Sequence, residues 1–169
     1  MSKTVAQVLA QAMEAEITGF TTYLDFARQT KDQTGKNMFI TLAREEVDHY
    51  EILRRQFNDA FAGKPIEPIE ISQTEIAELV PQLDSIAKRT AGAEGANELH
   101  ALKTAIDLER AAIDYYTEWS KKADDATVRE TFRNLAEMEE GHFELLRSQH
   151  DYISNTGHWF GINQWTMED

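Results

Sequence analysis

The chain has 169 residues, a net charge of −13 and no cysteine. This length suits one domain with a substantial core, and we predict a single domain over residues 1–169. Because cysteine is absent, disulfides, zinc ribbons, thiolate-bound iron–sulfur clusters and cysteine nucleophiles are excluded. The acidity argues against nucleic acid as a partner, since a phosphate backbone would be repelled.

Residues 1–10 do not show the basic and then apolar layout of a signal peptide. No run of about 18 apolar residues occurs in the chain, so no segment is expected to cross a membrane. Together with the lack of cysteine, these features predict a cytoplasmic protein that does not bind membranes.

Four long segments with helical periodicity follow one another, separated by the few glycines and prolines. The predicted helices cover about residues 5–30, 36–62, 96–122 and 125–153. The long connection 63–95 contains a capping box, Ser72 to Glu75, that predicts a short helix. The tail, residues 154–169, is rich in aromatic side chains, and we expect it to pack on the bundle or on a second subunit.

The lengths of the connections predict the topology. Short turns join the first helix to the second and the third to the fourth, so each pair is antiparallel, whereas the long middle connection crosses the bundle. The sequence therefore predicts an all-α fold, an antiparallel four-helix bundle with one long crossover connection that contains a short helix.

A pattern of carboxylates and imidazoles occurs twice in the chain, at a constant offset of 93 residues. In each copy a single Glu lies 30 residues before the Glu of a Glu-x-x-His pair. The matched residues are Glu16, Glu46 and His49 in the first copy, and Glu109, Glu139 and His142 in the second. Two related helical hairpins are therefore expected to build the bundle.

All of these residues fall on apolar helical stripes that face the predicted core, as Glu16 does between Met13 and Phe20. Buried carboxylates without partners cost several kcal/mol each and repel one another. Two divalent cations would balance the four carboxylates, and an oxygen-rich set with one imidazole per ion suits Fe or Mn better than Cu, with Zn also open. The sequence thus predicts a dinuclear metal centre.

The repetition carries this prediction. A single Glu-x-x-His pair is weak evidence, because such pairs are common on solvated helix surfaces. Two copies of the Glu and Glu-x-x-His set at the same spacing are much less expected by chance on a solvated surface. A bundle that has lost its metal is the alternative.

Tyr23 and Tyr116 lie two turns from the single Glu of each copy, on the same stripe. We expect them to be core aromatics, and hydrogen bonding to a ligand carboxylate is the second interpretation. His100 lies nine residues from Glu109 and is expected at the surface. His150 and His158 belong to no pattern.

Residues 12–17 and 42–49 resemble the first two helices of rubrerythrins, a family of the ferritin-like superfamily, and the resemblance covers about residues 5–153. It implies a ferritin-like bundle with two Fe ions, Mn or a mixed Fe/Mn pair being possible alternatives. Glu46 and Glu139 would bridge the ions and form the catalytic centre. The resemblance also implies one ion completed by each remaining pair, Glu16 with His49 and Glu109 with His142.

The sequence departs from the family pattern at several positions. Rubrerythrins carry a cysteine-rich rubredoxin domain, so this chain needs an external electron donor such as a rubredoxin-like protein or a flavoprotein reductase. Ala112 stands where rubrerythrins have an additional Glu, and His142 stands where they usually have Glu. Val47 replaces the haem-ligand Met of bacterioferritin, so no haem is expected.

The resemblance implies a di-iron oxidoreductase that reduces hydrogen peroxide, or oxidises Fe(II) with O₂ or peroxide, as a homodimer or small homo-oligomer. Three alternatives stay open at this point. They are an iron storage protein with a ferroxidase site, a dimanganese catalase and a metal-free interaction bundle.

Overall fold

The computed structural model describes residues 4–68 and 96–161, which form four α-helices. The helices are α1 (Val5–Gln29), α2 (Gln33–Phe61), α3 (Ala96–Lys122) and α4 (Ala126–Thr156). The predicted all-α bundle is confirmed, and each predicted boundary lies within three residues of the observed one. The predicted short helix at Ser72 to Glu75 lies outside the described residues.

The helix ends follow from local capping. Asp32 opens α2 by accepting hydrogen bonds from the backbone N–H groups of Thr34 at 2.8 Å and Gly35 at 3.2 Å. Asp125 caps α4 in the same way. Gly157 ends α4 with a φ of 75°, a conformation that glycine adopts without steric cost. Because Asp32 caps so early, α2 begins three residues before its predicted start.

Side-chain contacts show the direction of the helices. Tyr23 stacks on Phe39 while Gly19 faces Glu46, so α1 and α2 run antiparallel. The equivalent contact of Tyr116 with Phe132 relates α3 to α4. These two aromatic pairs match in the 93-residue repeat and have similar geometry, with interplanar angles of 22° and 21°. The bundle is thus built from two related hairpins.

The start of the C-terminal tail packs on its own bundle, one of the two arrangements expected from the sequence. The Trp159 indole N–H donates to Glu98 at 2.9 Å, and its ring lies edge-on to Phe39. The same ring contacts Gly35 near the start of α2. Because Glu98 is in the first turn of α3, α2 and α3 begin at the same end of the bundle. The end of α2 and the start of α3 therefore lie at opposite ends, as the predicted crossover requires.

Replacing Gly35 with alanine should destabilise the fold. Overpacking usually costs about 1–3 kcal/mol, and the higher helix propensity of alanine offsets up to about 1 kcal/mol of this cost. A Cβ at this position would lie 2.5 Å from Trp159 Cε2 and 2.6 Å from Cζ2, where Phe39 and Glu98 confine the ring. Chemical denaturation measures the change. In a Trp159→Ala background the same substitution should be neutral or stabilising. A similar loss in both backgrounds would contradict this explanation.

Two core clusters surround the middle of the bundle. One contains Tyr23 and Phe39, and the other contains Tyr116 and Phe132. The repeated carboxylates and imidazoles lie on the helices between these clusters. None of the helices in the described ranges is long and apolar enough to cross a membrane.

Candidate metal centre

The structure brings together all the residues predicted as ligands. Each helix contributes its single Glu or its Glu-x-x-His pair to the bundle interior. Their exposed fractions do not exceed 4%, the members being Glu16, Glu46, His49, Glu109, Glu139 and His142. His100 is exposed, as expected.

The six side chains form two overlapping groups, each able to surround one ion. The first group is Glu16, Glu46, His49 and Glu139, and the second is Glu46, Glu109, Glu139 and His142. Within each group the ligand atoms lie within 4.8 Å of one another. Glu46 and Glu139 belong to both groups, so these two carboxylates stand where bridges between two ions would be.

Glu139 lies between the two imidazoles. Its Oε1 is 3.0 Å from His49 Nδ1, and its Oε2 is 2.9 Å from His142 Nδ1. Despite these distances, none of these four atoms has a hydrogen-bond partner among the described residues. A buried polar atom without a partner costs about 1–3 kcal/mol. Metal ions bound by these oxygen and nitrogen atoms would remove that cost, and the donor set therefore fits two divalent cations.

The pKa values of the site residues are shifted by burial and by neighbouring charges, and bound cations would offset both effects. Burial raises the pKa of Glu16 well above its ordinary value, and burial with the charge of Glu139 raises that of Glu109 to about 8. Burial also acts on Glu139, but the two neighbouring imidazoles outweigh it and leave its pKa well below the usual range. Burial lowers the pKa of His49 and His142, yet the adjacent carboxylates raise it overall. Two divalent ions would supply four positive charges, so the carboxylates could stay ionised and the imidazoles neutral.

Two tyrosines tie the hairpins together at the site. The Tyr23 hydroxyl on α1 donates to Glu109 on α3, and the Tyr116 hydroxyl on α3 donates to Glu16 on α1. Both rings are also fully buried in the core. The sequence favoured a packing role alone, and the structure adds the hydrogen bond that was the second interpretation.

Replacing Tyr23 or Tyr116 with phenylalanine should weaken metal binding by about 10–100-fold, the usual effect of removing a partner that orients a ligand. The ring remains, so the helical signal in circular dichroism should not change. Metal titration of the apoprotein measures the effect. Tyr115→Phe is the matched control, because its hydroxyl donates to the backbone oxygen of Val8 at 2.9 Å instead of to a carboxylate. Equal affinity in the Tyr23 and Tyr116 variants and the control would contradict the assigned role.

Comparison with known proteins agrees with this geometry. The family model described as Rubrerythrin matches residues 7–148, which is most of the chain. The chain belongs to the rubrerythrin family. No curated protein sequence gives a significant match. A solved structure of a hypothetical protein from Pyrococcus furiosus is similar to this chain, with 21% identity and a TM-score of 0.63 over 88% of this chain and 89% of that one. At this identity the likeness shows the fold alone.

In this rubrerythrin-family protein a cavity of about 260 Å³ opens between α1 and α3. The carboxylates Glu16, Glu46 and Glu109 lie in its wall, together with small residues such as Gly19 and Ala112. A Cβ at Gly19 would lie 3.0 Å from Glu46 Oε2, so glycine leaves room for this carboxylate. The cavity therefore gives access to the carboxylates of the site.

Sequence reasoning missed one residue of the site. Glu45 is buried, with 7% of its surface exposed, and its Oε2 lies 2.8 Å from His142 Nε2. It directly precedes Glu46, and two consecutive residues of a helix point about 100° apart, so the helical period indicated burial for only one of them. Only the position of α4 in the folded bundle places an imidazole beside Glu45.

Proposed function

We propose that this rubrerythrin-family protein is a non-haem di-iron oxidoreductase that reduces hydrogen peroxide, oxidises Fe(II), or does both. The observation that carries the proposal is the pair of buried ligand groups that share Glu46 and Glu139. Carboxylates with one imidazole per ion suit iron, and this ligand set also accepts Mn. Two bound Fe ions would supply the two electrons that cleavage of an O–O bond requires.

The side chains have separate roles in this proposal. Glu16 with His49 and Glu109 with His142 would hold one ion each, while Glu46 and Glu139, which belong to both groups, would contribute to both ions. The hydroxyls of the two site tyrosines orient the terminal carboxylates Glu16 and Glu109. The two core clusters place apolar side chains on both sides of the site, which reduces its contact with bulk water.

The substrate and the electrons would arrive by different means. The cavity between α1 and α3 has room for a molecule as small as peroxide or O₂. Reduction of one peroxide to two waters consumes two protons and two electrons. Because the chain has no cysteine for a rubredoxin-type iron site, we propose that a separate rubredoxin-like protein or flavoprotein reductase donates the electrons, and that the protein works as a homodimer or small homo-oligomer.

Peroxide consumption by protein loaded anaerobically with Fe(II) tests the proposal. We expect about two Fe per chain and peroxide loss that depends on an added electron donor. Release of O₂ without any donor would instead identify a catalase. Accumulation of tens of Fe per chain in a large closed particle would instead identify a storage protein, and either result would reject the peroxidase.

Narrowing the cavity should slow the reaction without removing the metal. Ala112→Leu places a larger side chain in the cavity wall, and we expect kcat/KM for peroxide to fall roughly tenfold, a barrier change of about 1.4 kcal/mol. Ala112→Ser, which adds a single oxygen, is the size control and should be nearly unaffected. The metal content of both variants should stay at the wild-type value. Unchanged kcat/KM in Ala112→Leu would show that peroxide does not enter by this cavity.

A further inference from the structure

The two imidazoles of the site differ in the hydrogen-bond partner of Nε2, the ring nitrogen that does not face Glu139. His142 has Nδ1 towards the carboxylates, 2.9 Å from Glu139 and 3.4 Å from Glu46. Its other nitrogen, Nε2, lies 2.8 Å from Glu45 Oε2. A carboxylate oxygen accepts a hydrogen bond from an imidazole N–H, so in the neutral ring that binds a metal ion Nε2 carries the proton and Nδ1 presents its lone pair to the ligand group. Glu45 on α2 therefore sets both the tautomer and the ring orientation of His142 on α4.

Among the described residues, His49 has no such partner. Its Nδ1 lies 3.0 Å from Glu139, but its buried Nε2 makes no hydrogen bond with any described part of the chain. By the 93-residue offset, the residue that corresponds to Glu45 is Met138. A methionine thioether is only a weak acceptor and carries no charge. The six candidate ligands thus follow the two-fold repeat, whereas Glu45 has no carboxylate at the corresponding position.

We propose that Glu45 is a positioning residue that makes the two metal positions unequal, so that a divalent cation binds first and more tightly in the group containing His142. A carboxylate that accepts from a ligating imidazole fixes the ring and raises the basicity of the coordinating nitrogen, and removing such a partner typically costs 10–100-fold in metal affinity. The second group, with His49, receives neither effect. This inference rests on the metal centre of the proposed function, but not on the reaction.

Anaerobic titration of the apoprotein with Co(II) tests the inequality, with heat and the visible absorption of bound Co(II) as readouts. Wild-type protein should show two steps whose affinities differ by at least about tenfold. His142→Ala should remove the tight step, whereas His49→Ala should remove the weak one. Two equal steps in the wild type, or the reverse assignment from the two histidine variants, would overturn the proposal.

Variants of Glu45 and Met138 test whether the carboxylate beside His142 causes the inequality. Glu45→Ala should weaken the tight step by about 10–100-fold and change its Co(II) spectrum, leaving the weak step alone. Glu45→Gln keeps an oxygen that can accept the hydrogen bond, so it should restore part of the affinity. Met138→Glu provides the missing carboxylate and should tighten the weak step. Thermal unfolding of the apoproteins identifies any variant that fails to fold, and Met138→Glu and Glu45→Gln then provide separate tests.

The outcome of the Co(II) titration does not depend on whether the protein reduces peroxide. If peroxide is not reduced but the two steps and their response to Glu45 persist, the proposed activity fails and the inequality stands. If Glu45→Ala leaves both steps and the spectrum unchanged, the inequality fails whatever the protein catalyses.

Discussion

Replacing Glu139 with alanine is expected to abolish the dinuclear centre and the proposed turnover. The two oxygens of this carboxylate lie 3.0 and 2.9 Å from the Nδ1 atoms of His49 and His142, and no other carboxylate in the described ranges contacts both imidazoles. Without it, each ligand group loses a member, and the two ions would lose a carboxylate that both groups share. Bound metal ions contribute several kcal/mol to transition-state stabilisation, so we expect a loss on the order of 10³-fold in kcat/KM.

Metal analysis and peroxide kinetics on the same sample measure this effect. The metal content should fall from two ions per chain to one or fewer. Glu140→Ala is the matched control, because Glu140 is the next residue on α4 but is exposed and belongs to neither ligand group. Two ions and full activity in Glu139→Ala would reject the bridging role. Equal losses in both variants would point to damage of α4 rather than of the metal centre.

Loading the apoprotein with Fe(II) or Mn(II) should stabilise the fold strongly. A ligand that binds only the folded state contributes about 4 kcal/mol at a concentration of 1,000 times its Kd. For a chain of this size that corresponds to a rise in Tm of roughly 8–16 °C. The gain is expected because the ions neutralise four buried carboxylates and satisfy polar atoms, including both oxygens of Glu139, that lack hydrogen-bond partners within the described residues.

Anaerobic calorimetric scans of the protein with and without metal test this expectation. The rise should depend on metal concentration and disappear with a chelator. Glu139→Ala should show much less of it, whereas Glu140→Ala should behave like the wild type. A Tm that does not respond to either metal would mean that the buried cluster is not a metal site.

The ligand set could be predicted from the sequence because it repeats. Glu16 and Glu109 match at the same offset as His49 and His142, and helical periodicity puts each on an apolar stripe. Connection lengths then predicted which helices pair. Both kinds of information can be read along the chain. The folded bundle confirms the predicted helices and brings the six residues together.

Contacts between the hairpins could not be predicted in this way. The hydrogen bond of Tyr116 to Glu16 joins residues 100 positions apart, and that of His142 to Glu45 joins residues 97 apart. Periodicity shows which face of a helix is buried but not which side chain of another helix it meets. Tyr23 and Tyr116 were therefore expected mainly as core aromatics, and Glu45 was not singled out.

By itself the sequence determined the fold class, the four helices, the two-fold repeat and the six candidate ligands. The repeat is found by comparing the two halves of the chain, and the rest follows from capping, helical spacing and the cost of burying charge. Only the tertiary structure decided that Glu139 lies between both imidazoles, that a cavity leads to the carboxylates, and that Glu45 supports one imidazole alone. The physical reason is that these features depend on how the two hairpins pack against each other, and that packing depends on every contacting side chain at once.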